Sequence, residues 1–287
     1  FSWTEVFRAS RDLADGKPVG FKLCVGHRSE FLAVCKAMRD TEITPDFITV
    51  DGGEGGTGAA PLEFANSLGM PARDGWMLVH DALTGLGLRD RVTVIASGKI
   101  LTGFHMVRAL ALGADLCLSA RAMMLALGCI QALRCNSGHC PTGITTQNPA
   151  LVHGLHVKDK APRVTRFHAA TVRGFLELLG AMGLSHPREI GPHHIFRRIS
   201  DAEVHTLAEC HDFVPEGALL SDGTGLESWR DDWKASESTW VLRTSSRERL
   251  VPLREAFRAP RLKVQGPPLC SLATRSDATC LATAMRW

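Results

Sequence analysis

Short apolar runs at residues 19–25, 47–51, 92–97 and 116–119 alternate with amphipathic stretches at helical spacing, at 29–39, 76–83, 104–112 and 122–133. Strand-length runs separated by helix-length segments predict a parallel sheet with crossover helices, an α/β fold. In the first run, Val19, Phe21, Leu23 and Val25 fall on one face and Gly20, Lys22 and Cys24 on the other. The first set suits packing under helices, and the second faces the opposite way. The runs lead into small or functional residues: Gly26, Asp51-Gly52-Gly53, Ser97-Gly98-Lys99 and Ser119-Ala120-Arg121. Ligands of α/β folds bind at this C-terminal edge of the strands.

Further along, residues 164–184 predict a helix, with Phe167, Val172, Phe175, Leu176 and Leu179 at helical spacing and an end near Gly183. Ser200-Asp-Ala-Glu203 has the form of a capping box that opens another short helix. From about Ser221 the apolar periodicity disappears, and Cys270 and Cys280 stand in no pattern. The chain thus divides into an α/β region at 1–150, a helical extension at 151–225 and a tail at 226–287. The tail is expected to be disordered, or read out of frame near its end.

Composition narrows the class. A chain of 287 residues, 45% hydrophobic and 22% charged, can bury one large core or two smaller ones. A net charge of +3 gives no argument for nucleic acid or a membrane surface. The longest apolar run, 106–130, is broken by Arg108, Asp115 and Arg121, so no transmembrane segment is expected. No signal peptide opens the chain, although it begins at Phe1 and the true N-terminus can lie elsewhere. Nine unevenly spread cysteines suit a reducing compartment, hence a cytoplasmic location.

Four features carry candidate chemistry. Lys22, on the inward face of a barrel strand, needs an anionic partner to offset desolvation; the alternative is an edge-strand lysine reaching water. Asp51-Gly-Gly-Glu-Gly-Gly-Thr-Gly58 places five glycines in eight positions after a strand, which lets backbone N–H groups approach a ligand. It matches neither the dinucleotide fingerprint nor a Walker loop. The successive loops Ser97-Gly98-Lys99 and Ser119-Ala120-Arg121, each opening a helix, predict a phosphate site of N–H donors and helix dipoles. Barrels place such a site after their last two strands, so these read as the last four βα units of a TIM (β/α)8 barrel. Finally, Cys129, Cys135 and Cys140 lie within twelve positions. Thiolates are the soft ligands of iron–sulfur clusters, and three suit a 3Fe–4S cubane lacking one iron corner. A helix-end cysteine followed by two unrelated loop thiols is the alternative.

The segments Gly20-Phe-Lys22, Asp51–Pro61, Leu88-Arg-Asp-Arg-Val92, Leu112-Gly-Ala114, Leu127-Gly-Cys129 and Cys140-Pro-Thr-Gly-Ile-Thr-Thr-Gln147 together resemble the FMN-binding domain of glutamate synthases, especially the stand-alone bacterial proteins. The resemblance implies a TIM barrel with FMN at its mouth. Cofactor contacts would come from Lys22, Asp51, Gly52, Gly53, Ser97, Gly98, Lys99, Ala120 and Arg121, with a 3Fe–4S cluster on Cys129, Cys135 and Cys140. Lys22 would lie against the flavin N1/O2 edge and stabilise its anionic reduced form.

The activity so implied is reductive amination of 2-oxoglutarate with ammonia or glutamine-derived ammonia, the cluster relaying electrons. Nothing in the chain resembles an amidotransferase domain, so amidotransferase and electron-donor subunits are the partners implied. With four of eight barrel units, the chain reads as a fragment of a longer protein. The competing readings are a related N-methylglutamate synthase subunit and a truncated, non-catalytic remnant.

Overall fold

The computed structural model describes residues 3–54, 56, 59–221 and 226–236. The expectation for the tail beyond Ser236 lies outside the described residues. Helix α1 (Trp3–Ala14) leads into strand β1 (Gly20–Cys24), and the chain then runs α2 (Arg28–Thr41), β2 (Phe47–Asp51), α3 (Leu62–Asn66), α4 (Ala72–Gly85), β3 (Thr93–Ser97), α5 (Gly103–Ala111), β4 (Leu116–Leu118) and α6 (Arg121–Leu127). Beyond these come α7 (Pro149–Val152), α8 (Val157–Ala181), β5 (Phe196–Arg198), β6 (Val204–Thr206), α9 (Leu207–Cys210) and α10 (Arg230–Ala235).

The four strands pair in parallel and in sequence order, β1-β2-β3-β4. All four apolar runs therefore form strands of one sheet. Register sets the faces: Lys22 pairs with Thr49, Thr49 with Ile95 and Ile95 with Leu116, so these side chains share one face. The intervening rows Phe21, Ile48, Val94 and Leu23, Val50, Ala96, Cys117 share the other. On that other face the sheet is closed by helices, with Ile48, Val50, Val94 and Ala96 all 0% exposed beside Leu32, Met38, Trp76 and Val79. The Lys22 face is open at its flanks, where Leu116 and Leu118 are 55% and 47% exposed and Lys22 and Cys24 face solvent, while Thr49 at its centre is buried.

Several helix boundaries differ from the sequence expectation. The apolar spacing over 122–133 predicts one helix continuing to the cysteines. Instead α6 stops at Leu127, because Gly128 adopts a left-handed conformation (φ 104°) and its N–H closes on the Leu125 and Met124 carbonyls. Ser200–Glu203 opens no helix. It is the turn of the antiparallel β5–β6 hairpin, with Ile199 N–H donating to the Glu203 carbonyl at 3.0 Å. The capping box sits one step later, where the Thr206 hydroxyl accepts from Glu209 N–H and the Glu209 carboxylate accepts from Thr206 N–H. The extension at 151–225 is thus helical only in part.

The expected helix at 164–184 starts earlier, at Val157, and runs through Pro162, which lies inside the helix and leaves the Lys158 carbonyl without its i→i−4 donor. It packs on α5 so closely that a Cβ at Gly103 would stand 2.5 Å from Phe175 N. Phe175, Leu179, Ile190, Ile195, Leu207, Leu219, Trp229 and Trp233 join the same hydrophobic core as the sheet. The end of the described chain is clamped on α2: Arg28 lies 4.7 Å over the Trp229 ring and Lys36 lies 4.1 Å over that of Trp233. Lys36 Nζ also donates to the Trp233 and Ser236 carbonyls. Among the described residues no helix is long and apolar enough to cross a membrane.

Candidate functional site at the strand ends

Strand alternation brings Lys22 and Asp51 to one face, and the parallel register puts them on neighbouring strands. Lys22 Nζ meets Asp51 Oδ2 at 2.6 Å, with the lysine side chain 55% exposed and the aspartate 21%. This is the anionic partner that an inward lysine requires, on an open sheet face. Asp51 Oδ1 accepts the N–H of Gly52 at 3.1 Å, so the carboxylate is fixed from both sides.

The β3 loop closes against the same point. Gly98 and Lys99 both adopt left-handed conformations (φ 117° and 53°). A Cβ at Gly98 would stand 3.0 Å from Ala72 Cβ and 3.5 Å from Asp51 Oδ1, so glycine is demanded by both backbone and space. Beneath the loop, Trp76 is 1% exposed, and its indole N–H is shared between the Val50 carbonyl (3.1 Å) and the Ser97 carbonyl (3.2 Å). One side chain of α4 thereby ties together the strand ends that carry Asp51 and Ser97. Glu54 works alongside it: its carboxylate accepts Ala72 N–H at 2.9 Å, a negative charge at the positive end of α4.

The fourth strand end joins through two bonds. Ser119 Oγ donates to the Ile100 carbonyl at 2.7 Å, and Arg121 donates to the Gly56 carbonyl at 3.2 Å, laying the β4 loop across the glycine segment. Ala120 is the residue from which α6 starts. Gly52 and Gly53 lie at the start of the glycine segment, of which Gly55, Thr57 and Gly58 lie outside the described residues. Lys99 projects to solvent. The strand-end residues expected from the sequence thus share one rim.

The cysteine segment is built differently. Cys129 follows the cap of α6, and its sulfur accepts Gln131 N–H at 3.4 Å. Gln131 and Leu133 both take left-handed φ values, 56° and 54°. Cys140 Sγ lies 3.3 Å from Thr142 Oγ1. That hydroxyl, followed by the Thr145 backbone N–H, holds the thiol down to about 6. The Thr145 hydroxyl, buried beside it, adds a smaller contribution in the same direction. Cys129, Cys135 and Cys140 are all free and half-buried. Among the described residues, however, no three Cys, His, Asp or Glu side chains are gathered as a shared metal would require. The expected convergence of the three sulfurs is not met in this conformation. His139 is engaged locally, its Nδ1 2.7 Å from the Ser137 carbonyl. His193 and His194 stack with ring centres 3.9 Å apart, and His194 Nδ1 accepts Gly191 N–H.

Sequence reasoning missed Trp76, Glu54, Thr142 and Thr145. A tryptophan at the start of an apolar helix stripe reads as core, and only the strand ends beneath it show its second task. The threonines lie in Cys140-Pro-Thr-Gly-Ile-Thr, where hydroxyls near a thiol were a visible but unused signal.

Residues 4–185 match the family model described as a conserved region in glutamate synthase. The glutamate synthase large subunit-like protein YerD of Bacillus subtilis is 39% identical over 199 residues, covering 69% of this chain and 38% of that protein. An archaeal glutamate synthase (NADPH) of Methanocaldococcus jannaschii is 39% identical over 169 residues, covering 59% of this chain and 32% of that protein. The chain therefore spans between 32% and 38% of the length of these two relatives. Among solved structures, a flavocytochrome b2 variant with sulfite bound aligns at a TM-score of 0.42 with 12% identity, over 77% of this chain and 44% of that one. With its glycine segment, strand-end lysine and cysteine segment all inside the matched residues, the chain belongs to the glutamate synthase family.

Proposed function

We propose that this chain supplies the last four βα units of a TIM barrel in an FMN- and 3Fe–4S-dependent oxidoreductase that forms glutamate by reductive amination of 2-oxoglutarate. The observation that carries the reading is the Lys22–Asp51 pair at the strand ends, beside a left-handed Gly98-Lys99 turn, in a chain of this family.

The residues fit an anionic cofactor. The turns at Ser97-Gly98-Lys99 and Ala120-Arg121 offer backbone N–H groups and two cationic side chains at one rim, the chemistry of a phosphate cradle. Asp51, Gly52 and Gly53 form the neighbouring wall, and Lys22 stands where a ring system laid on the open face would meet its charge. FMN held there would supply hydride for the reduction of an imine of 2-oxoglutarate and ammonia, and a cluster on the cysteines would supply single electrons. Lys22 contributes a positive charge held in place by Asp51, which stabilises negative charge developing near it. Ammonia comes from solution or from a glutamine-hydrolysing subunit, and electrons from a donor subunit.

Cys129, Cys135 and Cys140 are the proposed cluster ligands. Their chemistry fits: Cys140 favours the thiolate, with the Thr142 and Thr145 hydroxyls beside its sulfur, and Cys129 already accepts an N–H. Their spacing fits once the loop closes on the cluster, since binding of this kind is coupled to folding of the site.

The test is reconstitution of the full chain with FMN. Flavin absorbance at about 370 and 450 nm that stays with the protein through gel filtration is the expected result. Lys22→Met should keep the bound flavin and the fold but lower its midpoint potential, and slow turnover by roughly 100-fold or more. Failure to retain FMN, or a potential unchanged in Lys22→Met, overturns the reading.

A further inference from the structure

Between α4, α5 and the segment from β5 to α9 lies a cavity of about 380 Å³ that shares no lining residue with the strand-end rim. Three arginines reach it, Arg73, Arg108 and Arg197, with His211 beside them and Asp74 as the only lining carboxylate. Among the described residues none of the three arginines forms an ion pair. Arg108 Nε is buried with no hydrogen-bond partner.

This arrangement is costly as it stands. A buried guanidinium N–H without an acceptor loses the hydrogen bond it had in water. Burial and the like charge of Arg73 both push the Arg108 pKa down. Nearby His105 is lowered too, by burial and then by Arg108 and Arg73. Three guanidinium groups against the one carboxylate of Asp74 leave an excess of positive charge that a bound anion would relieve, and planar guanidinium groups suit phosphate and carboxylate oxygens. The remaining lining is apolar: Ile195 and Leu207 form buried walls, and the rings of Phe104 and Phe196 stand at the rim 46% and 68% exposed. A cavity of this size lies within the range that takes small organic molecules.

We propose that this cavity binds a small organic anion, a phosphate or carboxylate carried on an aromatic or aliphatic body. Arg73, Arg108 and Arg197 take the charged group, and Phe104 and Phe196 cover the body. The proposal stands apart from the flavin reading, because no residue is common to the two sites.

Calorimetric titration of the full chain at fixed ionic strength decides it, with inorganic phosphate, phenylphosphate and benzoate as probes. Expected is saturable one-site binding of phenylphosphate or benzoate below about 10 mM, with phenylphosphate binding several-fold tighter than inorganic phosphate. Arg108→Gln and Arg73→Gln should each weaken it at least tenfold, while Arg188→Gln, outside the cavity, leaves it unchanged. Arg108→Gln also removes an unpaired charge, so its melting temperature without ligand should equal or exceed that of the parent. Should that variant fail to fold, Arg197→Gln, whose residue is exposed on β5, makes the same test. No saturable heat, binding indifferent to the arginines, or phenylphosphate no tighter than phosphate overturns the proposal.

Discussion

The strand-end rim and the cysteine segment sit in one chain and are built on opposite plans. The rim is held by the protein's own bonds: Lys22 to Asp51, Asp51 to Gly52, Trp76 to two strands, Glu54 to the start of α4. The cysteine segment has three free, half-buried sulfurs and two non-glycine residues in left-handed conformations. A preformed site costs little ordering when its ligand arrives, whereas a site completed by its ligand folds with it. The difference teaches that the sheet fixes the first region, while the second, on the function proposed above, is completed by its ligand.

The largest test of that contrast is Trp76. Trp76→Ala removes a fully buried indole from the core and both bonds to the strand ends, at an expected cost of about 3–5 kcal/mol in denaturant unfolding. Trp76→Phe keeps the packing but strands the Val50 and Ser97 carbonyls, and should cost about 1–3 kcal/mol. In iron-free protein, Cys129→Ser, Cys135→Ser and Cys140→Ser should each change stability by less than about 0.5 kcal/mol, because these side chains pack against little. Equal losses at Trp76 and at the cysteines would erase the distinction.

The same contrast governs what was legible in the sequence. Strand runs could be read because period-2 apolar patterning, bounded by small residues, suits a half-buried strand and no helix face. The Lys22–Asp51 pair could be anticipated because both residues lie on the non-apolar face of adjoining strands. Where a pattern permits two local structures, tertiary packing decided. Ile130 and Leu133 prolong the apolar stripe of α6, yet Gly128 ends the helix and the two side chains stand 67% and 60% exposed. Ser200-Asp-Ala-Glu203 suits a helix cap and a reverse turn equally, and burial of Ile195 and Leu207 on either side selected the hairpin. Helix α1 escaped notice because it buries Phe7 and leaves most of its other described side chains in water. The position of three sulfurs in a loop is not encoded by periodicity at all.

A second test uses titration on α4, the helix that carries Trp76. Asp81 is buried under Val214, whose N–H it accepts, and burial raises its pKa from 3.8 to about 6. The folded protein thus holds this proton at pH values where the unfolded chain has lost it, and stability falls as pH rises across that window. His80 acts in the opposite sense. Burial, then the neighbouring Arg89, depresses it from 6.5 to about 4, so stability is lost as pH falls through that range. Each contribution is on the order of 2–3 kcal/mol, and the two nearly cancel in the parent. Asp81→Asn should therefore unmask a stability that rises between about pH 4 and 6.5, and His80→Gln one that falls. Identical pH profiles of denaturation midpoint in both variants would show that α4 is not sealed as described.

The smallest expected effect lies in the cysteine segment, and it bears on whether that segment is poised for a ligand. Cys140 is held to about 6 chiefly by the Thr142 hydroxyl, then by the Thr145 backbone N–H. At neutral pH its sulfur is therefore largely thiolate, the form that both attacks alkylating agents and ligates metals. Thr142→Val removes the first donor at nearly constant volume, so the Cys140 pKa should climb back toward its ordinary value of 9.0. Alkylation of iron-free protein by iodoacetamide at about pH 7, followed residue by residue by mass spectrometry, should then slow several-fold at Cys140. The rate at Cys129, whose sulfur bonds to Gln131 N–H and not to Thr142, should stay as it was. An equal slowing at both sulfurs would mean that Thr142 organises the whole loop. The segment would then be preformed like the rim, and the distinction between the two regions would fail at its least exposed point.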